Sequence, residues 1–294
     1  MKYLFFVLMA LTFYKCTPPA TSSRIDSIQD FSSEYVQDRN ISVWLPEGYT
    51  SNKQYDVLYM HDGQMLFDST KTWNGQEWEV DKTMQQLISD EIIKPTIVVG
   101  IWNISELRTI EYFPRKAYDL LSDSVKNVLS EERLAQAPLS DNYLKFIIEE
   151  LKPYIDKTYS TNSGKESTFI AGSSMGGLIS MYALCEYPDV FDAAACLSTH
   201  WPGTYFANEE IPKAFAAYMS NNLPSAETHK FYFDYGTETL DSLYEPYQLM
   251  IDSVLIKKGY SSENWVTKKF EGEAHKETDW AKRFNIPIEF IMKK

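Results

Sequence analysis

The segment Gly172-Ser173-Ser174-Met175-Gly176-Gly177 constrains this chain more than any other, because of what flanks it. Before it, Ser167-Thr168-Phe169-Ile170-Ala171 is a short β-branched and aromatic run that reads as a buried strand. After it, Leu178-Ile179-Ser180-Met181-Tyr182-Ala183-Leu184 carries helical apolar spacing. A strand that turns through Gly-x-Ser-x-Gly into a helix presents its serine on a sharp, strained turn. The neighbours two before and two after must then be small. Gly172 and Gly176 meet that need for Ser174, not Ser173, so Ser174 is the predicted nucleophile. A Gly-rich turn without chemistry is the alternative reading.

A serine hydroxyl attacks poorly until a base takes its proton, and the base is ordinarily a histidine held by a carboxylate. The chain has 4 histidines, at positions 61, 200, 229 and 275. The chain order that accompanies such an elbow is serine, acid, histidine, which removes His61 as base. His229 sits at the wrong end of the apolar run Phe231-Tyr232-Phe233 and reads as an exposed loop residue. His200 follows the strand-like Ala193–Leu197 and is a candidate pocket residue. His275 lies in a polar loop after the strand-like Trp265–Phe270, with room beyond it for one terminal helix. It is the expected base, with an ordinary surface histidine as the alternative.

The acid is expected just past the strand ending in Phe231–Gly236, where the loop offers Glu238 and Asp241. Asp241 also stands where it would cap a helix over Ser242–Lys257, and Glu238 could simply be solvated. Asp241 is preferred because a shorter side chain at the loop's end orients an imidazole more rigidly. Asp234, within the strand, ranks third. The tetrahedral intermediate needs two N–H donors. Met175, directly after the nucleophile, supplies one. The second is assigned to Gln64, in His61-Asp62-Gly63-Gln64 after the strand Tyr55–Met60, with Gly63 letting the backbone turn inward. An ordinary Asp-Gly turn is the alternative there.

Tyr59–Gln64, Arg108–Pro114, Gly172–Gly177, Asp234–Glu238 and the Gly272–Trp280 stretch with His275 stand in an order that resembles the esterase-D-type family of α/β-hydrolases. That family includes feruloyl and acetyl-xylan esterases, siderophore esterases, S-formylglutathione hydrolases and mycolyltransferases. The resemblance, which covers roughly Arg39 to the C-terminus, implies an α/β-hydrolase fold, Ser174 as nucleophile, His275 as base and an acid after Gly236. In feruloyl-esterase-like members the acid begins a stretch similar to Asp241-Ser242-Leu243, which favours Asp241. Many relatives instead carry it three residues after the glycine, where this chain has Thr239. The implied activity is ester hydrolysis through an acyl-enzyme, with an acetyl or feruloyl group on a polysaccharide hydroxyl. A siderophore ester, or transfer of the acyl group to another alcohol, fits the same residues. A surface protein that only captures glycans is the alternative of another class.

Alternating strands and helices predict a mostly parallel sheet with helices on both faces. An antiparallel part opens it at Gln29–Pro46, and the clearest helix spans Asp141–Thr158, where Leu144, Ile147, Ile148 and Leu151 keep a 3–4 spacing. The irregular stretch Ser105–Leu139 is expected above the strand ends, which makes Arg108, Glu111 and Tyr112 candidates for substrate contact. Arg108 and Glu111, three apart, could instead pair with each other. Trp73, Trp102 and Trp201 lie just past strands or in loops near the expected mouth, and Trp201 beside His200 is the best placed to line it.

The net charge of −13 argues against a nucleic-acid partner held through phosphate contacts. No paired Cys or His stands at ligand spacing, and the predicted chemistry calls for no cofactor. At the N-terminus, Met1-Lys2 and the apolar run Tyr3–Tyr14 read as a signal peptide, too short to span a membrane. Cys16 ends it as in a lipoprotein signal, although Lys15 departs from the usual small residue and leaves plain secretion or an uncleaved anchor open. The expected organisation is a signal over 1–16, a tether over 17–28 and a single catalytic domain over 29–294. The protein would reside in the periplasm or cell envelope, touching membrane only through its lipid. Cys185 and Cys196 read as buried hydrophobes.

Overall fold

The computed structural model describes residues 22–132, 134, 136–205 and 207–293. The sheet begins with β1 (Arg24–Phe31) and β2 (Arg39–Leu45), followed by β3 (Asp56–His61), the helix α1 (Val80–Ser89) and β4 (Thr96–Ile101). Short helices α2 (Arg108–Tyr112), α3 (Arg115–Asp119) and α4 (Asp123–Glu132) come next, then α5 (Ser140–Lys145) and α6 (Lys152–Thr158). β5 (Thr168–Ser173), α7 (Met175–Glu186), β6 (Ala193–Leu197), α8 (Glu210–Asn222) and β7 (Lys230–Glu238) form the centre. α9 (Glu245–Lys257), β8 (Trp265–Ala274), α10 (Glu277–Arg283) and α11 (Asn285–Met292) close the chain.

The strands make one sheet in the order β1-β2-β4-β3-β5-β6-β7-β8. β1 and β2 pair antiparallel, as do β2 and β4, and every later pairing is parallel. Period-two alternation divides the strand side chains between two apolar layers. Val57, Tyr59, Ile170, Cys196 and Phe233 join the layer under α5 to α9. Leu58, Met60, Ala171, Ala195 and Tyr232 face the layer built with α1, α10 and α11. This is the helix-covered parallel sheet expected from the alternation of elements. Its consequence for function is directional: the carboxyl ends of β3, β5, β6, β7 and β8 all open on one edge, where ligand sites of such sheets form.

Three local expectations change. The tether expected to reach residue 28 gives way to β1 at Arg24, because Ile28 and Phe31 pack on the core and Arg24 registers against Leu45. The signal segment, Cys16 and the first part of the tether lie outside the described residues. The helix expected over Asp141–Thr158 is interrupted by a π-helical stretch, Phe146–Leu151, just ahead of Pro153. Proline has no N–H to donate and its ring crowds the carbonyl four residues back, so the wider turn accommodates it. The irregular stretch after Ser105 is largely helical, as α2 to α4. Cys185 and Cys196 are both buried free thiols.

Candidate active site

β5 runs straight into Ser174, whose backbone sits at φ 58 and ψ −122. An L-residue adopts that conformation only where the surroundings hold it. Here the Ser174 N–H donates to Leu197 O at 2.9 Å and its carbonyl accepts from the His200 N–H at 3.2 Å. The turn is tight enough that a Cβ added to Gly172 would stand 2.7 Å from Gly176 O, so Gly172 is required by contact, whereas a Cβ at Gly176 would come no nearer than 3.4 Å to Asp62 and His61. Met175 heads α7, where an N–H has no intrahelical acceptor.

The loop after β3 faces this turn. Asp62, not Gly63, takes the left-handed conformation, at φ 58. Gly63 is needed for a different reason: a Cβ there would stand 2.4 Å from the backbone carbon of Gly100 on β4. Gln64 follows in a one-turn 3-10 helix and its Oε1 accepts from the Asn103 N–H at 3.1 Å. Asp62 is held by Arg108, through Nε and Nη2 at 2.7 Å each, and by Asn103 Nδ2 at 2.7 Å. Burial alone would raise the Asp62 carboxyl, but the Arg108 charge and these hydrogen bonds bring it below the usual range. His61 is sealed behind, with Nδ1 2.9 Å from Tyr143 Oη, and burial drives its pKa down to about 3.

His275 follows β8, and its backbone is fixed on both sides: its N–H donates to Thr239 Oγ1 at 2.9 Å, and the Ala274 N–H donates to Asp279 Oδ2 at 2.7 Å. The imidazole Nδ1 lies 2.5 Å from Asp241 Oδ1. Its ring meets Trp280 and Tyr244 edge-on, with centroids 5.0 and 5.8 Å apart. Asp241 sits in a short 3-10 helix and does not cap α9; its side chain is fully buried, with Oδ2 accepting from the Gly236 N–H at 2.6 Å and Ser198 Oγ at 2.5 Å. Glu238, at the end of β7, is exposed. Asp234 is fully buried and bound to Arg283 at 3.0 Å, away from any histidine contact.

Ser174, Met175, Gln64, His275, Arg108 and His200 line one open cleft of about 610 Å³. Other expected contacts do not reach it. Glu111 is buried in a bidentate pair with Arg39 at 2.7 and 2.9 Å, not with Arg108. Tyr112 is fully buried under the Arg108 guanidinium, and Trp201 is fully buried with Nε1 donating to Gln248 Oε1 at 2.8 Å. Trp102 donates to Ser42 Oγ at 2.9 Å, outside the cleft lining. His229 is not an exposed loop residue but is buried, with Nε2 2.7 Å from Pro188 O. Trp73, 84% exposed, does border the cleft, and so does Tyr205, 70% exposed, which nothing in its sequence neighbourhood singles out. Ser198, Thr239 and Asp279 also escape a reading of motifs, being common loop residues whose partners are distant in sequence.

Residues 32–285 match the family described as "Putative esterase". Over 208 residues, 69% of this chain, the sequence is 27% identical to the endo-1,4-β-xylanase/feruloyl esterase of Xylanibacter ruminicola, of which the match spans 25%. Over 193 residues it is 25% identical to the ferri-bacillibactin esterase BesA of Bacillus subtilis, spanning 63% of this chain and 61% of that protein. The matches thus cover less than two thirds of either relative. The IroE-like serine hydrolase of Shewanella oneidensis superposes with a TM-score of 0.66 at 20% identity, over 90% of this chain and 79% of the other. A feruloyl esterase module from Clostridium thermocellum, complexed with sinapinate, gives 0.62 at 15% identity, over 97% and 96%. At such identities the structures speak for the α/β-hydrolase fold alone. The family match spans most of the length and includes every residue that borders the cleft, and by that match the chain belongs to this esterase family.

Proposed function

We propose that the chain is an exported serine carboxylesterase acting through an acyl-enzyme. Ser174 attacks the ester carbonyl. His275, whose Nδ1 is engaged by Asp241, takes the serine proton on its other ring nitrogen and returns it to the leaving alcohol. Asp241 holds the tautomer and steadies the imidazolium. The N–H groups of Met175 and Gln64 receive the developing oxyanion. Water then attacks the acyl-enzyme with the same base. The observation that carries this reading is the convergence of a strained serine at an elbow and a histidine bound to a buried carboxylate on one cleft.

We take the acyl group to be acetyl or feruloyl and the alcohol to be a polysaccharide hydroxyl. The likeness to an endo-1,4-β-xylanase/feruloyl esterase and the exposed Trp73 and Tyr205 at the cleft support that choice. A siderophore ester is the second reading, supported by the likeness to BesA. Arg108 and His200, which border the cleft, are the retained candidates for substrate contact. Export rests on the apolar run Tyr3–Tyr14, and lipidation on Cys16.

A fluorophosphonate probe should label the wild-type protein and leave Ser174→Ala unlabelled and unable to cleave short p-nitrophenyl esters. An unlabelled wild type would instead support a non-catalytic glycan binder. Turnover of acetylated xylan, feruloylated arabinoxylan and a tri-catechol siderophore then separates the substrate readings.

A further inference from the structure

Behind the His275–Asp241 pair stands a buried group that the proposed chemistry does not use. Ser198 follows β6 at φ 41, in the left-handed region that a serine seldom occupies, and it is fully buried. Its Oγ lies 2.9 Å from Trp280 Nε1, 3.1 Å from Arg283 Nη2 and 2.5 Å from Asp241 Oδ2. An indole N–H and a guanidinium can only donate, and a hydroxyl has two lone pairs and one proton. The two donors therefore occupy both lone pairs, and the proton is left for Asp241. With Gly236 N–H on the same Oδ2, that oxygen is saturated and Oδ1 is left for His275. Arg283 is itself fixed by Asp234 at 3.0 and 3.2 Å and by the face of Phe270 at 4.7 Å. Asp234 is held in turn by the Ser198 N–H and Tyr232 Oη, both at 3.1 Å.

We propose that Ser198 is a positioning residue for ester cleavage, directing its hydroxyl proton onto Asp241 Oδ2 because Trp280 and Arg283 fill its lone pairs, and so aiming Oδ1 at His275. Trp280 and Arg283 lie on α10, the helix that follows the His275 loop. The base loop is thereby tied to the acid at two points: directly through the imidazole and again through Ser198. The inference rests on the proposed roles of Asp241 and His275.

The test compares purified full-length Ser198→Ala with wild type on a short p-nitrophenyl ester. Loss of one hydrogen bond to a charged group should lower kcat roughly 10- to 100-fold. KM should stay within about twofold, since the interaction is not with substrate. The downfield proton resonance of the His275 Nδ1–H bond to Asp241 should shift or broaden in the variant, which a purely structural serine would not cause in protein that stays folded by circular dichroism. Should Ser198→Ala not fold, Ser198→Gly, which suits φ 41, is measured in its place. A folded variant with wild-type kcat and an unmoved resonance overturns the inference. Asp241→Asn is run alongside: full activity there would sink the reading of the acid itself, whereas its loss beside an unaffected Ser198 variant sinks only the role of Ser198.

Discussion

The choice of carboxylate illustrates what a single residue's surroundings decide. Glu238 and Asp241 lie in one loop, yet Thr239 at φ 54 turns the chain between them. Asp241 is thereby carried inward to the Gly236 N–H and the His275 ring, while Glu238 stays at the surface. If Asp241 orients the base, Asp241→Asn should lower turnover by on the order of 10⁴, because the wrong imidazole tautomer is then favoured. Glu238→Gln should leave steady-state kinetics nearly unchanged. The reverse ranking in kcat would transfer the role to Glu238. Thr239 stands where many similar proteins are expected to hold their acid; here its hydroxyl accepts from the His275 N–H and shapes the loop instead.

At the scale of elements, the cleft depends on how closely the β3 loop approaches β4. Gly63 lies against the backbone of Gly100, and a methyl group there would overlap the carbonyl of that residue at 2.4–2.5 Å. Gly63→Ala should therefore push the Gln64 N–H out of place as well as strain the packing. Overpacking of this kind costs about 1–3 kcal/mol, and a misplaced oxyanion donor about 10²–10³ in kcat. Urea unfolding and steady-state kinetics on the same sample test both; a stable, fully active variant would mean that Gln64 is not the donor. The pairings around α2 follow the same logic. A helix-surface pair such as Arg108 with Glu111 contributes only about 0.2–0.5 kcal/mol. Each finds a bidentate partner elsewhere instead: Asp62 for Arg108, which stays partly exposed at the cleft, and Arg39 for the buried Glu111.

For the molecule as a whole, His61 links the site's scaffold to acid stability. Its folded pKa of about 3 lies below the ordinary histidine value because burial disfavours the cation. The unfolded chain takes up that proton first as pH falls. The stability associated with a neutral His61 is thus fully present above about pH 6.5 and is lost progressively toward about pH 3, by on the order of 4–5 kcal/mol. Denaturant midpoints of wild type and His61→Asn between about pH 7 and about pH 4 should converge on acidification. Parallel curves would show that other groups set the acid limit. Localisation belongs to this scale too. If Cys16 is lipidated, full-length protein should fractionate with membranes and Cys16→Ala should be released. Retention of Cys16→Ala in the membrane fraction would identify the apolar segment itself as the anchor.

What the sequence determines by itself is whatever local backbone demands dictate: a serine between two glycines at a strand–helix junction, alternating strands and helices, and a histidine in the last strand's loop. Contacts of that kind involve neighbours along the chain, so they leave a pattern in order and spacing. The tertiary structure alone decides which loop carboxylate faces the imidazole, that Glu111, Tyr112 and Trp201 are buried while Trp73 and Tyr205 border the cleft, and that Ser198 and Arg283 stand behind Asp241. Those partners are brought together from separate strands and helices by the packing of the sheet. Desolvation then forces each buried charge or hydroxyl to find its partner in space, and nothing in a residue's sequence neighbourhood records where that partner will be.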